Sequence, residues 1–395
     1  MPTSNYVTKI SANKTSFWKN SKPFLGRLDM EITERCNNNC IHCCINLPVN
    51  DLQAKKKELS TQEIKNILKE AVSLGCMTVR FTGGEPLLRE DFEELYVFAR
   101  KQGLKVLVFT NATLIDEHMV DLFTAIPPLE KIEITVYGMK KNSYESVTRI
   151  SGSFEAAWKG IKLLLERKIP FVVKGALLPD NKEEIAEFEK WAATIPWMDR
   201  PPSYSMFFDL RCRRDNIDKN RHIKNLRFSA KDGLKILTRR KDKYIKKMKE
   251  FCSKFMHPPG DKLFSCGAGC GGGCVDAYGY FQPCMMVRHP DCICDLKTVS
   301  LKNALTDFFP KIREMKSENL DYLGHCAKCF LKGLCEQCPA KSWMEHGTLD
   351  TSVEYLCEIA HIQARYMGLI KDDEKAWEVN NWKERIKNFC EKEAL

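Results

Sequence analysis

Arg27-Leu-Asp-Met-Glu-Ile-Thr-Glu-Arg-Cys36-Asn-Asn-Asn-Cys40-Ile-His-Cys43 is the stretch on which the fold turns. Arg27 to Ile32 reads as a strand, and the loop after it carries three cysteines at a C-x3-C-x2-C spacing. That spacing brings three thiolates onto one compact loop. Structural zinc sites and ordinary ferredoxin clusters want four protein ligands, whereas three thiolates on an iron-sulfur cubane leave one iron open to a substrate or cofactor. The competing reading is a zinc site completed by a distant fourth cysteine.

Working outward, short β-branched or apolar runs alternate with amphipathic helical patterns up to about residue 210, the signature of βα units around a parallel sheet. The further strands are Thr78 to Phe81, Val106 to Phe109, Lys131 to Val136, Phe171 to Leu177 and Ser203 to Phe208. Ser60 and Glu63 form a capping box ahead of a stripe of Ile64, Ile67, Leu68, Ala71 and Val72, and that helix ends before Gly75. Helices from about Asp91 to Lys101 and Ile115 to Ala125 follow. The expected fold is α/β, a partial (β/α)6 barrel of parallel strands with a small Cys-rich C-terminal domain. Its divisions are an N-terminal extension (1–26), the barrel (27–210), a charged helical connector (211–262), a Cys- and Gly-rich domain (263–360) and a C-terminal helical segment (361–395).

Composition narrows the class. The chain has 395 residues, 44% of them hydrophobic, and 19 cysteines. No apolar run reaches the roughly 18 to 20 residues that span a bilayer, and the N-terminus lacks the apolar stretch of a secretory signal, so a cytoplasmic setting is expected. In a long chain without such a signal, cysteines at ligand-like spacings point to metal rather than disulfides. The formal charge of +10 invites nucleic acid, because a basic surface attracts phosphates whatever its fold. Eleven thiolates around three cluster cores of about +2 each would bring that to roughly +5, which needs no nucleic acid. The densest basic run, Arg239 to Lys247, lies among Leu234, Leu237, Tyr244 and Met248 at helical spacing and reads as a solvated helix face.

After the second strand stands Thr82-Gly83-Gly84-Glu85-Pro86, where two glycines permit close backbone approach and Glu85 offers a carboxylate to an ammonium. Thr110-Asn111 follows the third strand and Thr135 closes the fourth, so polar groups recur at one rim of the sheet. Through the C-x3-C-x2-C loop, the GGEP motif and their order in the βα pattern, residues 27 to 210 resemble the radical SAM superfamily. The resemblance implies that Cys36, Cys40 and Cys43 hold a 4Fe-4S cluster and that His42 is the ring-bearing residue before the last ligand. It also implies that Gly83, Gly84 and Glu85 meet the amino group of S-adenosylmethionine (SAM), with Asn111, Thr135 and Arg149 as further cofactor contacts. An arginine such as Arg149 can grip a carboxylate in a bidentate fork, although a loop arginine is usually just solvated.

A second constellation reads Cys266-x3-Cys270-x3-Cys274-x9-Cys284, with Gly279 five residues before the last, then Cys326-x2-Cys329-x5-Cys335-x2-Cys338, and finally Cys357. It resembles a SPASM domain, the twin-cluster extension of many radical SAM enzymes, although the family's third spacing is usually one residue longer than Cys335 to Cys338. By that resemblance Cys266, Cys270, Cys284 and Cys338 would hold one auxiliary 4Fe-4S cluster, and Cys326, Cys329, Cys335 and Cys357 the other, with Cys274 competing with Cys270. The alternative is a zinc ribbon at Cys326, Cys329, Cys335 and Cys338, to which Cys284 and Cys357 would be surplus.

The resemblance implies reductive cleavage of SAM and hydrogen abstraction by the resulting radical under anaerobic conditions, with an electron donor such as ferredoxin or flavodoxin. Modification of a peptide or protein is the leading expectation, served where needed by a separate leader-binding chain. A sulfatase-maturase assignment is weakened because Met285 stands where those enzymes place an Asp. The alternatives are oxidation of a small molecule or tetrapyrrole side chain and, in another class, a non-catalytic metal module contacting nucleic acid. No catalytic side chain is assigned. Lys174, inside the fifth strand, either faces a cavity or, as lysines more often do, snorkels at a strand end.

Overall fold

In the computed structural model, which describes residues 23–391, six parallel strands follow one another in chain order: β1 (Arg27–Thr33), β2 (Thr78–Gly83), β3 (Lys105–Thr110), β4 (Leu129–Val136), β5 (Phe171–Ala176) and β6 (Ser203–Ser205). Residues 1–22 and 392–395, most of the expected N-terminal extension and the tip of the C-terminal segment, lie outside the described residues. The sixth strand stops three residues before the expected Phe208. Leu177 N–H closes the ladder on Ser205 O, after which Met206 turns into a small cluster with Leu177 and Phe228 and Phe208 packs on His42 with ring centroids 4.7 Å apart.

The sheet does not end with the barrel. Strand β7 (Gly272–Val275), from the Cys-rich region, pairs parallel to β1, and β8 (Tyr280–Gln282) and β9 (Cys294–Asp295) continue antiparallel, making nine strands in the order β9-β8-β7-β1-β2-β3-β4-β5-β6. The second cysteine region is thus seated on the barrel's first strand.

Register sorts the side chains. Met30, Phe81, Val108, Ile132 and Phe171 are neighbours across five strands, all buried in one core with Ile64, Ile67, Leu68 and Ala71 of helix α1 (Thr61–Ser73). The capping box at Ser60 and Glu63 starts that helix as the sequence indicates. Helices α2 (Phe92–Lys101) and α3 (Glu117–Ala125) follow near their expected bounds. The opposite face carries Asp29, Glu31, Arg80, Thr82, Phe109, Glu133, Thr135 and Lys174. Parallel strands flanked on both sides are normally apolar on both faces. Here Phe109, Glu133, Thr135, Val172 and Lys174 keep partial exposure in mid-sheet, so the concave face opens on space. Lys174 belongs to this face, 2.6 Å from Glu133.

Beyond α4 (Lys141–Thr148) and α5 (Ser153–Glu166), the connector forms α6 (Ile217–Leu226), α7 (Ala230–Thr238) and α8 (Lys241–Phe255). Tyr244, Met248 and Cys252 of α8 build a second core with α9 (Glu354–Tyr366) and the terminal α10 (Trp382–Glu391). Lys241, Lys243, Lys246 and Lys247 are solvated as expected, while Arg239 and Arg240 both pair with Glu189. Among the described residues no helix is long and apolar enough to cross a membrane.

Candidate active site and cysteine cavities

The loop from Cys36 to Cys43 leaves the C-terminal end of β1 and is held by neighbours on several sides. Arg35–Cys36 pairs with Leu47–Pro48 in a short parallel ladder. Asn39 N–H and Ile41 N–H donate to Thr148 O and Val147 O at 2.8 and 3.0 Å, so the last turn of α4 anchors the loop's middle. Asn111 Nδ2, just past β3, donates to Asn37 Oδ1 at 2.9 Å and stands 3.8 Å from Cys36 Sγ. Asn46 Nδ2 donates to Asn38 O, and Arg211 Nη1 donates to Asn46 O at 3.0 Å.

The two glycines of the GGEP turn serve this seating. Gly83 has φ +119°, and a Cβ there would lie 2.0 Å from Thr33 O; one on Gly84 would lie 2.1 Å from Arg35 O. Only glycine lets the turn lie so close against the backbone entering the cysteine loop. Glu85 is fully buried and already engaged. Its Oε1 accepts from Thr110 Oγ1 at 2.8 Å and Leu87 N–H at 3.1 Å, and its Oε2 accepts from Asn111 N–H at 2.8 Å. The carboxylate thus ties the GGEP turn to the end of β3; burial pushes it up to about 7. Thr135 is half-buried on the concave face opposite Lys174. Arg149, by contrast, is an exposed αL residue capping α4, with φ 58°.

The electrostatics of the loop suit a metal group. Burial pushes Cys40 up to about 12 and raises Cys36 and Cys43 as well. A bound cation relieves that cost, since a metal-coordinating thiol is deprotonated outright. Asn38 Nδ2 and Oδ1 and His42 Nδ1 are buried beside the cysteines without a protein partner, and burial lowers His42 to about 4. Lys219 of α6 is a favourable charge for Cys40 and Cys43. Neither Lys219 nor Asn46 was visible from sequence, because each reaches the loop through tertiary packing.

The C-terminal cysteines separate into two places. Cys326, Cys329, Cys335 and Cys357 line one cavity together with Lys332, Val353, Ala360, His361 and Trp377. Ala376 N–H donates to His361 Nε2, so Nδ1 carries the proton and donates to Cys357 O at 2.8 Å. Lys332 is a favourable charge for Cys326, Cys329 and Cys335, each of which burial raises. Glu336, at φ 53°, reverses the chain between Cys335 and Cys338.

Cys338 instead neighbours Cys284, whose thiol is raised to about 11 by burial and then by the charges of Cys338 and Cys266. Gly269 N–H donates to Pro283 O, laying the loop of exposed Cys266 and Cys270 against that of Cys284. Arg313 Nη1 fastens it through Cys266 O and Ala268 O. Cys274 is fully buried in β7, where its strongest charged neighbours are Glu31, Arg288, Asp29 and Asp276. Among the described residues no three His, Cys, Asp or Glu side chains converge tightly enough to hold a single metal ion.

The barrel and the cysteine region are joined by buried charge. Arg288, four residues past Cys284, pairs with Glu31 of β1 and, at 3.2 Å, with Asp276. Arg213 bridges Glu34 and Asp276, both at 2.7 Å.

Residues 30–192 match the family model described as the Radical SAM superfamily, and this part of the chain is a radical SAM domain. Among curated proteins the chain is similar to Fe-coproporphyrin III synthase of Methanosarcina barkeri, with 29% identity over 45% of this chain and 42% of that protein. It is also similar to GTP 3',8-cyclase of Thermodesulfovibrio yellowstonii, 29% identical over 44% of this chain and 54% of that one. It spans about half the length of these relatives. Among solved structures, Streptococcus suis SuiB bound to precursor peptide SuiA shares the fold over 87% of this chain and 78% of that one, with TM-score 0.63 and 16% identity. Native anSMEcpe with bound AdoMet does so over 92% and 98%, with TM-score 0.61 and 15% identity.

Proposed function

We propose that the chain is a radical SAM oxidoreductase that modifies a peptide or protein and carries two auxiliary clusters in a SPASM-like domain. In this reading Cys36, Cys40 and Cys43 hold the SAM-binding 4Fe-4S cluster. Cys326, Cys329, Cys335 and Cys357 hold one auxiliary cluster, and Cys266, Cys270, Cys284 and Cys338 the other. Bound there, the first cluster and SAM supply one-electron cleavage that yields a 5′-deoxyadenosyl radical able to abstract hydrogen from a substrate. The chain's own residues seat the loop, exclude water with the buried GGEP turn, and leave the half-open concave face for a substrate.

The observation that carries this reading is a loop that brings Cys36, Cys40 and Cys43 to the C-terminal rim of a parallel barrel, above a polar concave face, while the adjoining Cys44 pairs with Cys212. The cavity at Cys326, Cys329 and Cys335 takes Cys357 as its fourth cysteine rather than Cys338, which favours two auxiliary clusters over a zinc ribbon. The peptide assignment draws on the fold shared with SuiB and anSMEcpe through both regions. A second reading, tetrapyrrole side-chain oxidation, draws on the likeness to Fe-coproporphyrin III synthase, which covers less than half of each chain. An external one-electron donor of the ferredoxin or flavodoxin class completes the scheme.

The test is anaerobic. Reconstituted with iron and sulfide and given SAM and dithionite, the wild type should form 5′-deoxyadenosine, and Cys36→Ala/Cys40→Ala/Cys43→Ala should form none. A fully iron-loaded wild type that leaves SAM intact would overturn the proposal.

A further inference from the structure

Resting on the proposed function, a further assignment concerns the concave face itself. Its ion pairs differ in access. Glu31–Arg288 is sealed, with both side chains 2% exposed, and Asp29–Arg80 is nearly so at 12% and 10%. Glu133–Lys174 keeps 26% on each partner, although it lies in the middle of the sheet. Lys174 Nζ stands 4.0 Å from the centroid of the Phe109 ring, and the Arg80 guanidinium stands 4.5 Å from the same centroid. Two cations therefore contact one aromatic ring, and the Glu133 carboxylate acts on both, 2.6 Å from Lys174 Nζ and as a favourable charge for Arg80.

Hydrogen-bond capacity shows which group fits. Lys174 gives one close contact to a carboxylate, which leaves ammonium donors unused. Arg80 Nη1 reaches Asp29 at 3.4 Å and Met285 Sδ at 3.5 Å, both long contacts, while Arg80 Nε is buried with no partner at all. Asp29 is meanwhile shared with Arg27 through two contacts, at 3.1 and 3.3 Å. On Arg80 the chamber therefore holds a buried donor with no acceptor. A buried donor without a partner is costly, and an entering acceptor removes that cost. A carboxylate matches the charge of both cations, and its two oxygens suit the fork of an arginine.

We propose that Lys174 and Arg80, set on Phe109, form a substrate-binding site for a carboxylate, and that Glu133 holds Lys174 in place until the substrate exchanges with it. The substrate of this barrel thus carries an acidic group. An acidic side chain of a peptide and a propionate of a tetrapyrrole share this chemistry. Because Met285 follows Cys284 and touches Arg80, the same site adjoins one of the cysteine loops of the C-terminal region.

The experiment reads Lys174 directly, by acetylation with acetic anhydride and mass spectrometry of the iron-loaded protein. The probes are acetyl-Ala-Glu-Ala-amide, its Gln counterpart, coproporphyrin III and SAM. Protection of Lys174 by the Glu peptide or by coproporphyrin III, with little from the Gln peptide or SAM, is the expected result, and the protecting probe names the source of the carboxylate. Titration of the same probe should weaken at least tenfold in Lys174→Met, recover in Lys174→Arg and tighten severalfold in Glu133→Gln. Equal protection by the Gln peptide, protection by SAM alone, no protection by any probe, or unchanged binding in Lys174→Met would overturn the proposal. SAM cleavage by the wild type, measured alongside, separates the two claims. If SAM is cleaved and no carboxylate binds, this inference fails alone, whereas intact SAM sinks the proposed function whatever binds.

Discussion

The cysteine loop at the rim of the barrel and the cysteine cavity of the C-terminal region use the same residue type in opposite surroundings. In the loop three thiols sit on one short segment, held from outside by the backbone of α4 and the side chain of Asn111, above a face that stays half open. In the cavity three thiols from residues 326–335 meet a fourth, Cys357, from α9 around a space lined by Val353, Ala360 and Trp377. A site that must exchange a ligand keeps one side free, and a site that must keep a group is walled in. Under the proposed function the loop would take SAM and the cavity a permanent cluster.

The largest effect should come from the seat of the loop. Gly84→Ala places a Cβ about 2 Å from Arg35 O, and neither backbone can yield without breaking a ladder. A loss of about 4 kcal/mol or more in unfolding free energy is expected from denaturant titration, with SAM cleavage gone. A mild variant would mean that the turn does not support the loop.

Next comes a pH dependence on the barrel side. Glu85 is raised by burial from its ordinary value near 4.5 to about 7. A carboxyl raised in the folded state stabilises fully below its unfolded pKa and loses that contribution as pH climbs through the folded value. Stability should therefore fall between about pH 4.5 and 7, by up to about 3 kcal/mol from this group. Thermal melts of Glu85→Gln should show a shallower slope in that window.

Asn111→Ala removes the clamp between β3 and the loop and should cost about 1 to 2 kcal/mol, the scale of a buried hydrogen bond left unmade. Iron loading of the C-terminal cysteines should be untouched. At the small end, Trp377→Ala opens the cavity, where the indole meets His325 in a tilted contact and His361 edge-on, with ring centroids 4.8 and 5.5 Å away. Loss of cavity iron to a chelator should speed up roughly fivefold, the counterpart of about 1 kcal/mol, with the loop unaffected.

Much of the barrel was legible because its signals are local. Strand alternation, the Ser60–Glu63 box and the glycine stops each lie within one element, and five strands fall within two residues of their expected starts and ends. What escaped is non-local. The pairing of Gly272–Val275 with β1 joins segments more than 200 residues apart, and nothing in either segment announces the other. Glu85 reads as a free carboxylate until the hydroxyl of Thr110 and the amide of Asn111 are seen to occupy it. The concave face was half visible. Asp29, Glu31, Arg80, Glu133 and Lys174 are charges at alternate positions in strands that ought to be apolar throughout, a pattern that marks a face turned toward a ligand. The split between Cys335 and Cys338 depends on one left-handed residue, Glu336, whose type does not disclose that conformation.

The contrast between an open loop and a closed cavity is tested most directly by electron paramagnetic resonance of the reduced, iron-loaded protein with and without SAM, comparing wild type with Cys36→Ala/Cys40→Ala/Cys43→Ala. SAM is expected to perturb the wild-type spectrum, and to leave that of the variant, which should still hold about eight irons, unchanged. A variant whose spectrum still responds to SAM would place the open iron in the C-terminal cysteines and contradict the division drawn here.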